Sequence, residues 1–432
     1  MVAARITALL VALALILPGA ARATYLGAFD YPFVNPFLAT VVGTPLPHQA
    51  ELPEIDTRRD VWLLTARPFP DRTPPPVLWY NDGLEYALFR HGPERAPLAF
   101  VIGGIGAGYA SGRSVVMVRA MLKAGFHVVS LPNPTHPRFI TAASATSVPG
   151  NLVEDAADLY RVIRLVLPEV TRRVQVSEIH LVGFSLGAAY AAYLARLDAE
   201  ERAVGFRRVL LINPPVSLYR SMRRVDGYLD RHVAADPLAV SRFVDETFQR
   251  LTQVYSTTER AELTGDFLYR TFLTLQPDAA DLERLVGLAF RLSANDLAFT
   301  SDVMTRAGYV VPQGARLGAT SSLTRFFERG LGLSFEDYFR GIYAPFFAVR
   351  GPRNSERELQ DAAGLVPIRD FLEGSPDIGV VTSEDDIILD RGDIAFLEDV
   401  FGERARIFPT GGHGGAMEQR DFVAEMIGFF RR

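Results

Sequence analysis

The sequence predicts an α/β chain, with a mostly parallel central sheet, helices on both of its faces and a large helical insertion. Three observations predict it. Short strand patterns crowd the first hundred residues, and strand and helix then alternate to about residue 215. About 160 mostly helix-patterned residues then separate Asn213-Pro214-Pro215 from the next convincing strand, Ile378 to Ser383, a length no simple crossover needs.

Taken in order, the chain opens with MVAARITALLVALALILPGAARATYLG. Arg5 supplies a positive start, Ile6 to Leu17 an apolar core, and Ala21-Arg22-Ala23 a small-x-small site before Thr24, which is the pattern of a secretory signal peptide. The apolar run is shorter than the roughly 20 residues a membrane span needs. Residues 1–23 are therefore expected to be removed and the protein exported, to a periplasm or the extracellular space. Membrane contact is expected only if the segment stays uncleaved.

Tyr31-Pro32 through Pro53 is Pro-rich and reads as an extended surface arm. Asp60-VWLLTARPF reads as a strand, VLWYND and EYALFRHG as two more, and PLAFVIGG at Pro97 to Gly104 as the first core strand. The alternation continues with a helix near Ser114 to Ala124, the strand FHVVSLP, a helix from Asn151 to Leu167, the strand IHLVGFS, a helix from Leu186 and the strand VLLIN. Glu154, Asp155 and Asp158 stand in the first turns of the Asn151 helix, where its dipole favours anions, and read as helix punctuation and a solvated face.

This order divides the chain into a first core segment at 24–215, a helical cap or lid at 216–375 and a second core segment at 376–432. Within the cap, SLTRFFERGLGLSFEDYFRGIYAPFF is dense in aromatics. They read first as the cap's own core, because aromatics supply so much burial, and second as a substrate lining.

Composition narrows the function classes. The 432 residues are 48% hydrophobic and 22% charged, as in globular proteins, with a formal net charge of -5 and one lysine, Lys123. No basic stripe exists for a nucleic acid. With Cys 0, a thiol nucleophile and any cysteine-based metal site are excluded, so covalent chemistry needs another side chain.

That side chain is Ser185. Gly183-Phe184-Ser185-Leu186-Gly187 follows the apolar run IHLV and opens the helix AAYAAYLARL. The G-x-S-x-G spacing turns a strand abruptly into a helix and leaves the serine hydroxyl standing over the sheet. The Leu186 N–H then heads a helix, where it can stabilise an oxyanion. A serine hydroxyl needs a base to remove its proton, and the base a carboxylate to hold it. With acid and base following the nucleophile, the histidines available are His232 and His413. His232, in Asp230-Arg231-His232, reads as an exposed helix-end residue, whereas His413 is delivered by the glycine-rich turn Pro409-Thr410-Gly411-Gly412-His413-Gly414-Gly415. Three carboxylates, Glu384, Asp385 and Asp386, stand at the carboxyl end of Ile378 to Ser383, and one of them should hydrogen-bond the Nδ1 of His413.

The ordered set of elbow, acids and histidine resembles the α/β-hydrolase fold serine hydrolases of esterase and lipase type. The resemblance covers about residues 60–215 and 375–430. It implies Asp386 as the acid, because Asp386-Ile387-Ile388-Leu389 is similar to an Asp-Pro-Leu-Val segment of that family; Ile387 replaces the proline, and Asp385 is the second choice. It implies Ile105 N–H as the second oxyanion donor, from Val101-Ile102-Gly103-Gly104-Ile105, although Ile102 and Gly103 depart from the family's histidine. The same glycines could suggest a phosphate loop, but the lysine that such a loop needs is missing. Ester hydrolysis through an acyl-enzyme follows, with thioesters or short peptides behind it, a small and apolar acyl substrate, and no metal or cofactor. The rival is an exported binding or scaffold protein that keeps the fold without catalysis; the intact elbow, acid and base argue against it.

Overall fold

The computed structural model describes residues 23–27, 29–233, 237–256, 276–351 and 355–432. The expected signal segment, residues 1–22, lies outside them, with Ala23 at their edge. No helix among the described residues is long and apolar enough to cross a membrane.

Among the described residues nine strands form one sheet: β1 (Thr24–Tyr25), β2 (Val61–Ala66), β3 (Leu84–Phe89), β4 (Ala96–Ile102), β5 (His127–Leu131), β6 (Val176–Phe184), β7 (Phe206–Ile212), β8 (Ile378–Ser383) and β9 (Ala405–Phe408). Their order across the sheet is β1-β9-β8-β7-β6-β4-β5-β3-β2. Only β3 runs antiparallel to its neighbours, β2 and β5; every other pair is parallel. From β2 to β9 this is the sheet of the α/β-hydrolase fold, with the two-residue β1 added at its far edge.

Both faces are buried, and period-two alternation sorts the side chains between them. Leu98, Phe100 and Ile102 of β4 face one core, with the helices Leu152–Arg173 and Leu186–Glu201. Ala99 and Val101 face the other, with Gly112–Ala124 and Arg420–Arg431. Truncating a fully buried side chain such as Phe100 to alanine would cost about 3–5 kcal/mol.

The sequence pattern and the structure differ in three places. VLWYND is not a strand but the 3₁₀ helix Pro76–Asn81, because Pro76 at its start lacks the N–H that a ladder would use. The Pro-rich arm is not extended throughout: it carries the helix Pro36–Val42, started by Pro36 and capped by Asn35 Oδ1, which accepts from the N–H groups of Phe37 and Leu38 at 2.9 and 3.1 Å. Asp155 and Asp158 are buried rather than solvated. Asp155 accepts from Gly150 N–H at 2.7 Å and from the Tyr190 hydroxyl at 2.8 Å, and burial pushes its carboxyl up to about 8.

Between β7 and β8 the described chain is helical, including Leu218–Asp230, Pro237–Ser256, Ala279–Thr305 and Thr324–Leu331. Its aromatics Phe335, Tyr338, Phe339, Tyr343 and Phe347 join the core on the sheet's Phe100 face rather than forming a separate one. One of these helices, Leu218–Asp230, is tied to the segment after β8: Tyr228 donates to Ile387 O at 2.6 Å and Ser221 to Ile388 O at 2.9 Å.

Candidate active site

β6 ends at Phe184 and the next helix begins at Leu186, so Ser185 makes the turn alone, at φ 55 and ψ -125. That backbone region costs a non-glycine residue about 1–3 kcal/mol and persists only where the surroundings enforce it. Enforcement here comes from close approach on both flanks. A Cβ on Gly183 would lie 2.2 Å from Gly187 O, and one on Gly187 would lie 2.3 Å from the carbonyl oxygens of both Ile102 and Gly103. Ser185 N–H is held by Ile212 O at 2.8 Å. The hydroxyl thus stands at the carboxyl ends of the central strands, where open α/β sheets carry their sites.

His413 meets it there. Its Nε2 lies 2.9 Å from Ser185 Oγ, and its Nδ1 lies 3.0 and 3.1 Å from the two carboxylate oxygens of Asp386. All three residues are buried. Asp386 also accepts from Asn213 Nδ2 at 2.7 Å and from Ile388 N–H at 3.0 Å. The imidazole packs against the Phe184 ring at 5.0 Å between centroids and faces Phe290 of the insertion at 6.5 Å.

The other sequence candidates lie apart from this run. Asp385 turns away from the imidazole and accepts from the N–H groups of Gly411 and Gly412 at 3.2 and 2.9 Å, anchoring the loop that carries His413. Burial pushes its carboxyl up to about 6 against the pull of those two donors. Glu384 is exposed. His232 is exposed at the end of Leu218–Asp230 and pairs with Glu283 at 2.9 Å.

Leu186 occupies the first position of its helix, where the N–H has no intrahelical partner. The loop after β4 passes beside the serine: a Cβ on Gly104 would lie 3.2 Å from Ser185 Cβ. Ile105 follows Gly104 directly. Leu186 and Ile105 are also part of the wall of a small apolar pocket with a cavity volume of about 70 Å³, shared with Leu218, Met222, Phe335 and Tyr343 from the insertion. The insertion's aromatics therefore line this pocket and belong to the main core, rather than forming a core of the insertion's own.

Several residues of the site escaped the sequence reading. Asn213 stands at the end of β7, at φ 48, and grips the Asp386 carboxylate. Asn133 and Thr135 follow β5 and hold the loop that contains Ile105. Thr40, from the N-terminal arm, accepts from His413 N–H at 2.9 Å. A usable signal existed for the first two positions: Asn213-Pro214 and Asn133-Pro134 are both Asn-Pro pairs just past the carboxyl end of a core strand. No group of metal-ligating side chains that could hold an ion occurs among the described residues.

The chain matches no protein-family model and no curated protein sequence. Among solved structures it is similar to a bacterial membrane phospholipase A described as a virulence factor, at 15% identity and a TM-score of 0.41 over 86% of each chain. It is also similar to an esterase of the archaeon Pyrobaculum calidifontis, at 16% identity and a TM-score of 0.40 over 90% of this chain and 85% of that one. A proline iminopeptidase of Mycobacterium smegmatis stands at 15% identity and a TM-score of 0.39 over 86% and 98%. The fold itself rests on strand order and elbow.

Proposed function

We propose that the protein is a serine hydrolase that cleaves a carboxylic ester through a covalent acyl-enzyme. The observation that carries this reading is the unbroken run from Ser185 Oγ through His413 to Asp386, with contacts of 2.9 and 3.0 Å. Ser185 Oγ attacks the substrate carbonyl while His413 Nε2 takes its proton, and the alkoxide so formed is held by the N–H groups of Leu186 and Ile105. His413 then gives the proton to the departing alcohol. Water repeats the sequence on the acyl-enzyme and frees the acid. Asp386 keeps the proton of the neutral imidazole on Nδ1, so that Nε2 faces the serine as an acceptor, and stabilises the imidazolium when it forms.

The apolar wall beside both oxyanion donors supports an apolar acyl group. Thioesters and short peptides are the next substrates to try, because the same proton transfers serve them and the insertion, read as a cap, selects among them. A fluorophosphonate probe tests the assignment: it should label the wild-type protein and leave Ser185→Ala unlabelled. A wild-type protein that resists the probe would overturn it.

Export is part of the same proposal and is supported by the composition of the first 23 residues. Protein recovered from outside the cytoplasm should begin near Thr24 when its N-terminus is sequenced; an intact Met1 end would sink the claim.

A further inference from the structure

An oxyanion donor works only if its N–H is fixed where the charge will appear, because reorganising a donor during the reaction gives back what the charge stabilisation supplies. On the Leu186 side a helix does the fixing. Ile105 has no such support, since it lies in the glycine-rich loop Gly103-Gly104-Ile105-Gly106, whose backbone is free by composition.

Two buried side chains take up that freedom. Asn133 Nδ2 donates to Gly103 O at 2.8 Å, two residues before Ile105, and Thr135 Oγ1 accepts from Gly106 N–H at 2.7 Å, one residue after it. They are joined to each other: Asn133 Oδ1 accepts from Thr135 N–H at 2.9 Å and from the Thr135 hydroxyl at 2.7 Å. Asn133 N–H reaches Ala107 O at 2.9 Å. Every donor in this set has one acceptor that fits it. The amide cannot flip, since Nδ2 must face a carbonyl and Oδ1 must face an N–H, and the threonine hydroxyl cannot turn, since its single proton is spent on Oδ1. Asn133 is 0% exposed and Thr135 3%, so bulk solvent scarcely reaches these bonds, although Thr135 also lines the apolar pocket.

We propose that Asn133 and Thr135 are positioning residues for the oxyanion donor on Ile105, setting how well the site holds the tetrahedral intermediate without touching the proton-transfer run. The proposal rests on the serine-hydrolase reading above. It predicts a specific split. Thr135→Val keeps the shape and removes the acceptor, so kcat should fall roughly 10- to 100-fold, less than the roughly 100- to 1,000-fold of deleting a donor outright because the Ile105 N–H is loosened rather than removed, while KM changes by less than about two-fold. The inhibition constant of an arylboronic acid, which forms a tetrahedral adduct on the serine, should weaken by the same factor as kcat. Thr135→Ser, which keeps the hydroxyl, should restore both. Asn133→Ala should reproduce the loss from the other side of the loop.

The pH profile of kcat should stay in place in all three variants, because the imidazole and its carboxylate are untouched. Wild-type kcat and boronate affinity in a folded Thr135→Val or Asn133→Ala would overturn the proposal. So would a rise in KM at constant kcat, which would make Thr135 merely a pocket wall. A wild-type enzyme that takes neither the fluorophosphonate nor the boronate would overturn the hydrolase reading itself, whereas a labelled wild type with indifferent variants overturns only the brace.

Discussion

Asp385 and Asp386 are adjacent in the chain and hold opposite parts of His413 and its loop. Asp386 takes the imidazole of His413 at 3.0 Å, and Asp385 takes the backbone of the loop that delivers it, at Gly411 and Gly412. Neighbouring side chains that diverge as a strand ends can divide two tasks in this way. Asp386→Asn should let the wrong imidazole tautomer form and lower turnover by roughly 10⁴-fold. Asp385→Asn should leave the tautomer alone and cost far less. Steady-state kinetics of the two variants on one ester decide the matter, and equal losses would contradict the division.

Ser185→Ala and His413→Ala should each abolish turnover by roughly a thousand-fold or more, and the double variant should lose little beyond either, since the pair acts as one unit. Additive losses in the cycle would mean that they act separately.

Asn213→Gly isolates the support behind the acid. Glycine accepts φ 48 at no steric cost, so the change removes the 2.7 Å bond to Asp386, together with the longer 3.3 Å bond to Thr382 Oγ1, without straining the backbone. A hydrogen bond to a charged group is worth about 1.5–3 kcal/mol, so turnover should fall by about ten-fold or more with the fold retained. Circular dichroism beside the kinetics checks it; wild-type turnover would show the bond to be idle.

Asp155 makes stability depend on pH. Its carboxyl is raised to about 8 by burial, far above the ordinary value of about 4 it regains on unfolding. The folded state therefore binds the proton more tightly. The stability linked to this group is fully present at acid pH and is lost as pH rises from about 4 through about 8. Asp155→Asn removes the titration, so the stability of wild type relative to this variant should decline between about pH 5 and pH 8.5. Urea midpoints of both proteins at those two pH values measure it, and a constant difference would contradict the shift.

How much of this was legible in sequence follows from how local each signal is. The elbow, the glycine-flanked histidine and the core strands carry their information within a few residues, so Ser185, His413 and the sheet could be placed by spacing alone. The choice between Asp385 and Asp386 needed a family likeness, because two adjacent carboxylates look alike until the direction of each side chain is known. Asp155 was misread for the same reason: acidic residues in a helix's first turn suit the dipole whether they face water or a tyrosine such as Tyr190. Thr40 and Thr135 act by contacts across long stretches of chain, which no local pattern encodes, and the Asn-Pro pairs at Asn133 and Asn213 mark positions at the strand ends without naming the partners they hold. VLWYND failed on a competition between strand propensity and a proline, and the proline won.

The loop of His413 rests on the helix Pro36–Val42 through Thr40, at a separation of 373 residues, and on the residues just past that helix through Thr44, which donates to Gly415 O at 2.8 Å. A Cβ on Gly415 would lie 2.1 Å from Ala39 O, so the two segments are in backbone contact. The segment that carries His413 is thus seated by the N-terminal arm, far away in sequence. On the proposed reading, the elbow that carries Ser185 and the seat that holds the imidazole come from separate stretches of chain, so the serine has no proton acceptor until that distant contact forms. A copy in which the arm is detached should keep the elbow and lose its activation.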